Sequence, residues 1–241
     1  SGIGSDELFT GYYDHHNFYL AEIFNDIELF KKSKKNWEKY IQKIVRNPYL
    51  KDPEIFIKKP FFRDHIFLNK ESFISFFYKE FSEDFSEKSF RSNLLRNRME
   101  NELFEETVPV TLHENDLNSM YYSIENRSPF LDKKLYELAS SIPTKFLIRD
   151  GKTKSVLRDA LNNIVPRKIL DNRKKVGFNA PILDLLNIND SKVRETLLDE
   201  SPIFDLIKKD KIESLLSKES LTNSFSKFLF TFINAKIFLE K

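Results

Sequence analysis

The chain of 241 residues has a formal charge of +2, with 40% hydrophobic and 14% aromatic residues, including 24 phenylalanines against five glycines. This composition fits a folded, helix-rich chain and argues against disorder, and the near-neutral charge gives no general pull towards nucleic acid or an acidic membrane. With no cysteine, disulfides, thiolate metal sites and a cysteine nucleophile are excluded. No run of about eighteen apolar residues is present to cross a membrane, and no basic-then-apolar leader opens the chain, so a cytoplasmic location is expected.

The chain opens Ser1-Gly2-Ile3-Gly4-Ser5-Asp6-Glu7-Leu8-Phe9-Thr10-Gly11-Tyr12. Gly2 and Gly4 allow a sharp backbone turn. Ser5 is suited to cap the helix that follows, and Asp6 and Glu7 complement the positive end of its dipole. Free N–H groups at such a turn suit a phosphate or carboxyl group, although G-x-G before a helix is a weak motif that a plain loop explains more often. The opening reads like a strand-to-helix turn whose strand is cut away, so the chain is expected to be a fragment of a longer protein.

Apolar spacing then predicts a helix over Phe18 to Phe30 and a second over Lys34 to Val45, ending before Asn47-Pro48. The basic run 31–35 beside Trp37 reads as a solvated helix junction, not a nucleic-acid patch. Pro48, Pro53 and Pro60 punctuate a loop-rich section. Helices are predicted over Glu71 to Phe81 and Ser86 to Glu106, with Val108-Pro109-Val110 breaking the run.

From Asp116 to Asp132 the chain reads D-L-N-S-M-Y-Y-S-I-E-N-R-S-P-F-L-D. Pro129 biases Ser128 towards an extended conformation, so a helix starting near Leu112 should end around Ile124. Asp132 can cap a further helix, Lys133 to Ser140. Asp116, Glu125, Arg127 and Asp132 lie in an apolar segment and should be paired or face a polar cleft; a structural ion-pair network accounts for them as well as chemistry does. Gly151-Lys152-Thr153-Lys154-Ser155-Val156-Leu157-Arg158 leads a helix over Thr153 to Asn163, stopped by Val165-Pro166. The basic segment Arg167 to Ala180 should form an exposed or cleft-lining loop. A final amphipathic helix carries Phe225, Phe228, Leu229, Phe232, Ile233 and Phe238, aromatics suited to a core or a partner interface. His15, His16, His65 and His113 have no metal-ligand spacing.

Four stretches in the same order resemble the synthetase domain of the asparagine synthetase family. They are the opening S-G-x-G-x-D-E-x-F-x-G-Y, the central S-M-x-x-S-x-E-x-R-x-P-F-L-D, the G-K-x-K-x-x-L-R of residues 151–158, and the K-x-G-F-x-x-P of residues 175–181. The resemblance implies a mainly α chain: the C-terminal helical portion of an α/β domain of the adenine nucleotide alpha hydrolase type. Residues 1–241 would form a single helical unit with the N-terminal core missing. It also implies ATP-dependent adenylation of a small carboxylate substrate, Mg²⁺ as cofactor, and ammonia from a glutamine amidotransferase domain or another source, as in asparagine biosynthesis. Neither nucleic acid nor a membrane is implied as a partner, and a homodimer stays open. On the same resemblance Ser1 and Gly2 would bind the adenylate, Asp6 would be a magnesium ligand, and Lys154 would be catalytic, with Glu125 bracing the cleft or taking a direct role.

Three departures stand against the family pattern. The pyrophosphate-binding loop S-G-G-x-D-S is absent. Ile3 occupies the place where asparagine-forming members carry Glu, which counts against aspartate as substrate. Leu117 replaces the Arg of D-R-x-S-M. A non-catalytic helical scaffold or binding module derived from the family is the alternative that these departures allow.

Overall fold

The computed structural model describes residues 1–67, 70–80, 85–175 and 182–241. They are mainly helical, and their only bridges are the isolated pairs Phe77 with Ile207 and Arg149 with Lys152. Contacts divide the chain into two compact units, one of Ser1–Ile66 with Phe85–Val176 and one of Phe67–Asp84 with Gly177–Lys241. The sequence alone offers no sign of this division.

In the first unit, α1 (Ser5–Phe9), α2 (Tyr13–Glu22), α3 (Ile27–Tyr40) and α4 (Ile55–Lys58) precede the short helix α5 (Lys70–Ile74), which belongs to the second unit. The first unit resumes with α6 (Leu94–Phe104), α7 (Thr107–Tyr121), α8 (Lys133–Ser141), α9 (Ser155–Ala160) and α10 (Arg167–Leu170). Its main core gathers Phe18, Trp37, Ile41, Phe56, Leu95, Met99 and Leu147. Phe18 stacks on Phe56 with ring centroids 3.6 Å apart. A smaller core joins Leu8 and Phe9 of α1 to Leu103, Val108 and Ala139.

Several boundaries differ from the periodicity because side chains cap backbone groups there. The helix predicted over Phe18 to Phe30 is two helices, since Asp26 accepts the Leu29 N–H at 3.1 Å and starts α3 afresh. The one predicted from Ser86 begins only at Leu94. Asn93 takes the Arg96 N–H at 2.9 Å, and the Glu22 carboxylate reaches across to the Leu94 and Leu95 N–H groups. Pro109 does not break α7; it is the third residue of that helix, where its missing N–H has no intrahelical partner to lose. Asp132 caps α8 as predicted, accepting from Lys134 and Leu135.

The central stretch differs most. Leu117, Met120, Tyr121 and Ile124 are exposed, Tyr121 by 81%, so the charges among them are not enclosed by apolar surface. At the chain opening Gly4, not Ser5, is the N-cap of α1, with φ 92. A side chain at Gly4 would collide with Leu131 as well as strain the backbone.

The second unit continues with α11 (Ile182–Leu185), α12 (Ser191–Leu198), α13 (Lys209–Leu216) and α14 (Asn223–Leu239). Phe76, Ile203, Ile212, Leu215, Leu229 and Phe232 form its core. Phe73 and Phe76 meet Phe228 at centroid distances of 5.2 and 4.7 Å, so most of the tail aromatics are core. Phe238, at 77% exposure, is not. The helix predicted over Glu71 to Phe81 ends at Ile74, because Phe76 and Tyr78 bond instead to Lys208 and Leu206; Phe81 lies outside the described residues.

Candidate functional site

The site forms where the end of α1 meets the start of α9. Thr10 leaves α1 with φ 70 and Lys154 enters α9 with φ 58, both on the side that favours glycine. The two strained turns hold each other: the Lys154 N–H donates to the Phe9 carbonyl at 3.0 Å and to Thr10 Oγ1 at 3.2 Å. Such strain costs about 1–3 kcal/mol per residue and persists only where the surroundings over-determine it.

This crossing sets the Lys154 side chain against α1. Its Nζ lies 2.6 Å from Asp6 Oδ1 and donates to Ser5 Oγ at 3.0 Å. Lys175 Nζ pairs with the other carboxylate oxygen of Asp6. Burial raises the Asp6 pKa, but the two ammonium groups outweigh it and hold the carboxyl below its ordinary range. Although close to Lys154, Asp6 Oδ1 is buried and receives no well-directed hydrogen bond. Gly11 packs directly on Asp6, leaving no space for a Cβ.

Beside this cluster lies a cavity of about 250 Å³ whose walls include Gly11, His16, Lys154, Arg158, Lys174 and Lys175. With Arg173, five cations and a neutral imidazole thus face one space. Burial pushes His16 down to about 3 and keeps it uncharged. Lys175 also sits 4.9 Å above the Tyr12 ring, and the Tyr12 hydroxyl bonds to Glu7. The arrangement suits a polyanion whose charge is spread over several oxygens.

Ser1 and Gly2 occupy the turn before α1, with Ser1 N donating to the Arg127 carbonyl at 2.7 Å and the Gly2 carbonyl accepting from Ser5 N at 3.4 Å. Glu125 pairs with Arg127 at 2.9 Å, and both side chains are exposed. The structure thus joins Asp6 to Lys154 and Ser1 to the turn after α7; no contact joins Glu125 to Lys154. Of the last motif, Lys175 is in the site, while residues 176–181 lie outside the described residues.

Behind α1 lies a buried charge network that sequence reasoning missed. Arg98 reaches Glu102 at 3.1 Å, Glu87 at 2.8 Å and Glu106 at 2.6 Å. His15 Nε2 lies 2.7 Å from Glu102, and His65 Nε2 lies 3.3 Å from Asp14. Asp14, His15 and Glu102 converge closely enough to hold a cation, but the Arg98 guanidinium already supplies the positive charge. The signal was Arg98 and Glu102 at helical i,i+4 spacing, obscured by the polar look of R-N-R-M-E-N-E.

The asparagine synthase family model matches residues 1–240. The chain belongs to the asparagine synthase family. Asparagine synthetase [glutamine-hydrolyzing] 1 of Bacillus subtilis is 40% identical over 101 residues, covering 42% of this chain and 16% of that protein. A putative asparagine synthetase [glutamine-hydrolyzing] of Mycobacterium bovis is 43% identical over 67 residues, 28% of this chain and 10% of that protein. The chain therefore spans a minor part of the length of the curated relatives it matches. No solved structure matches it. Among the described residues of this family member, no helix is long and apolar enough to cross a membrane.

Proposed function

We propose that this chain supplies the lysine- and aspartate-bearing half of an ATP-dependent synthetase that adenylates a carboxylate and passes the acyl group to ammonia or an amine. The observation that carries the reading is the Asp6 carboxylate clamped between Lys154 and Lys175 at the edge of a cationic cavity. Asp6 fits a magnesium ligand, because Mg²⁺ in nucleotide sites needs one or two carboxylates beside the phosphates and Asp6 Oδ1 has a lone pair that no hydrogen bond uses well. The ion would neutralise phosphate charge.

The chain's own residues would do the rest. Ser1 and Gly2, in the turn before α1, would lie against the adenylate. On substrate binding, Lys154 and Lys175 would exchange their carboxylate partner for phosphate oxygens. Lys154, fixed at both backbone and side chain, would stabilise the negative charge that builds up as the acyl carbon is attacked. Glu125, beside the Ser1 turn, would brace the cleft. Ile3 packs with the small apolar core around Leu8 and offers no acid to the acceptor, so the proposed substrate is a carboxylate other than aspartate. Ammonia would come from a glutamine amidotransferase domain or free in solution, and the setting would be the cytoplasm.

Substituting Lys154→Met in the protein at its full natural length tests the reading. Carboxylate-dependent pyrophosphate release should fall by roughly a hundredfold to a thousandfold, as for loss of one transition-state donor, with little change in melting temperature. Lys152→Met, which breaks a pair with Asp171, should change it little. Equal, mild losses from both would return Lys154 to a structural role.

A further inference from the structure

We propose that His15 is a positioning residue for the site: its Nδ1 anchors the Gly11 backbone that walls Asp6, and Glu102 fixes the tautomer that makes this anchor available. The proposal rests on the reading of Asp6 as the metal-binding carboxylate.

The Gly11 N–H donates to His15 Nδ1 at 3.1 Å. Burial lowers the His15 pKa, but Glu102 and Asp14 outweigh it and raise it; the Gly11 N–H aimed at Nδ1 requires the neutral ring, which has one donor and one acceptor nitrogen. Since Nδ1 faces an N–H it must accept, and the proton sits on Nε2, where the Glu102 carboxylate takes it at 2.7 Å. Arg98 Nε holds the other oxygen of Glu102 at 3.1 Å. His15, Glu102 and Arg98 are all buried, so water does not compete for these bonds. Fixing an imidazole's orientation through its second nitrogen is the way proteins orient functional histidines.

Gly11 is the point through which this acts. It follows Thr10, whose φ of 70 is strained. The Lys154 N–H, on Thr10 Oγ1 and the Phe9 carbonyl, secures the near side of the turn. His15 secures the far side. Because no Cβ fits between Gly11 and Asp6, a shift of this backbone moves the Asp6 carboxylate. His15 also packs edge-on against Tyr12 with centroids 5.1 Å apart, and the Tyr12 ring carries Lys175. One imidazole therefore supports both the aspartate wall and the lysine wall of the site.

Two substitutions separate anchoring from mere space-filling. In His15→Asn the amide oxygen can stand where Nδ1 stood; in His15→Gln the amide reaches towards Glu102 and the acceptor for Gly11 is lost. Amide hydrogen exchange at Gly11 should stay slow in the wild type and in His15→Asn and become at least about tenfold faster in His15→Gln. In the protein at its full natural length, kcat for pyrophosphate release should fall by about thirtyfold in His15→Gln and only a few-fold in His15→Asn, in line with the cost of misplacing a site by an ångström or less. Identical Gly11 exchange in both variants overturns the proposal. If either variant fails to fold, the imidazole ¹⁵N spectrum of the unaltered protein decides: an unprotonated, hydrogen-bonded Nδ1 supports the anchor, and a protonated Nδ1 overturns it. The predicted exchange order in a wild type that releases no pyrophosphate supports the anchor and counts against the synthetase reading alone.

Discussion

The two units of this chain are built on opposite principles. The second packs phenylalanine, isoleucine and leucine almost alone; its buried polar residues are Ser226 and Lys236 among those described. The first encloses Asp14, His15, His16, Arg98, Glu100 and Glu102 next to its aromatic core. Apolar burial suffices to hold helices together, so a fold needs no internal ion network to be stable. Buried ions contribute little net stability but are costly to leave unpaired. Their concentration behind α1 points to positioning, because a fully satisfied network has one arrangement and transmits it to the backbone it bonds.

The contrast is broken most directly by deleting one member of each core. Arg98→Met leaves Glu87, Glu102 and Glu106 without their shared cation, which should cost about 3–5 kcal/mol. Phe232→Ala empties a fully packed position and should cost a similar ~3–5 kcal/mol. What separates the two is the site: chemical denaturation followed by NMR should show Gly11 and Lys154 amides perturbed by Arg98→Met and left alone by Phe232→Ala. Perturbation of the site by both would remove the distinction between the units.

A milder test uses pH. All four histidines lie in the first unit, and burial pushes His16 from its ordinary 6.5 to about 3. Between these values the unfolded chain binds a proton that the folded chain refuses. The stability due to neutral His16 is therefore fully present above 6.5 and is lost as pH falls towards 3, by up to about 1.4 kcal/mol per pH unit. Asp14 and Glu87, held below their ordinary range against burial by their cationic partners, add acid sensitivity only at lower pH. His15, raised by Glu102 and Asp14 against burial, acts in the opposite sense, so the test is a difference: in denaturant melts between pH 6.5 and 5 the unaltered first unit should lose more stability than the His16→Gln variant does. A slope unchanged by the substitution would assign the effect to other groups.

What could be read from the sequence divides in the same way. Most of the tail aromatics and the Asp132 cap follow from spacing and local chemistry, and the structure has them where those rules put them, Phe238 excepted. The crossing of Thr10 with Lys154 does not, because it joins residues 144 positions apart through backbone bonds that no periodicity encodes. The family motifs named Asp6 and Lys154 without giving a reason for their proximity; the reason is the paired left-handed turns. Lys175 was visible as the first residue of the last family motif and as part of a basic run, but its carboxylate partner, Asp6, was not. Met120, Tyr121 and Ile124 give the segment that carries Asp116, Glu125, Arg127 and Asp132 its apolar look, yet they are exposed, because hydrophobic character predicts burial only where neighbouring elements supply a surface to pack against.

The smallest expected effect concerns Glu125, and it bears on how far the site extends. Its carboxylate pairs with Arg127 two residues away, and the two side chains are 69% and 81% exposed. A pair this open to water is worth about 0–1 kcal/mol and is screened by salt, so Glu125→Gln should leave the melting temperature nearly unchanged. Its catalytic consequence is a separate quantity. The Arg127 carbonyl accepts from Ser1 N, which places the Glu125 turn beside the residues proposed to meet the adenylate. If Glu125 only braces that turn, Glu125→Gln keeps shape and hydrogen bonding and should lower pyrophosphate release by no more than a few-fold, mostly through KM. If the carboxylate itself handles a proton of the attacking amine, the amide cannot replace it, and kcat should drop by roughly a hundredfold or more. The exposed geometry and the lack of any bond to Lys154 favour the first result, and a large fall in kcat at unchanged stability would extend the catalytic site to the turn after α7.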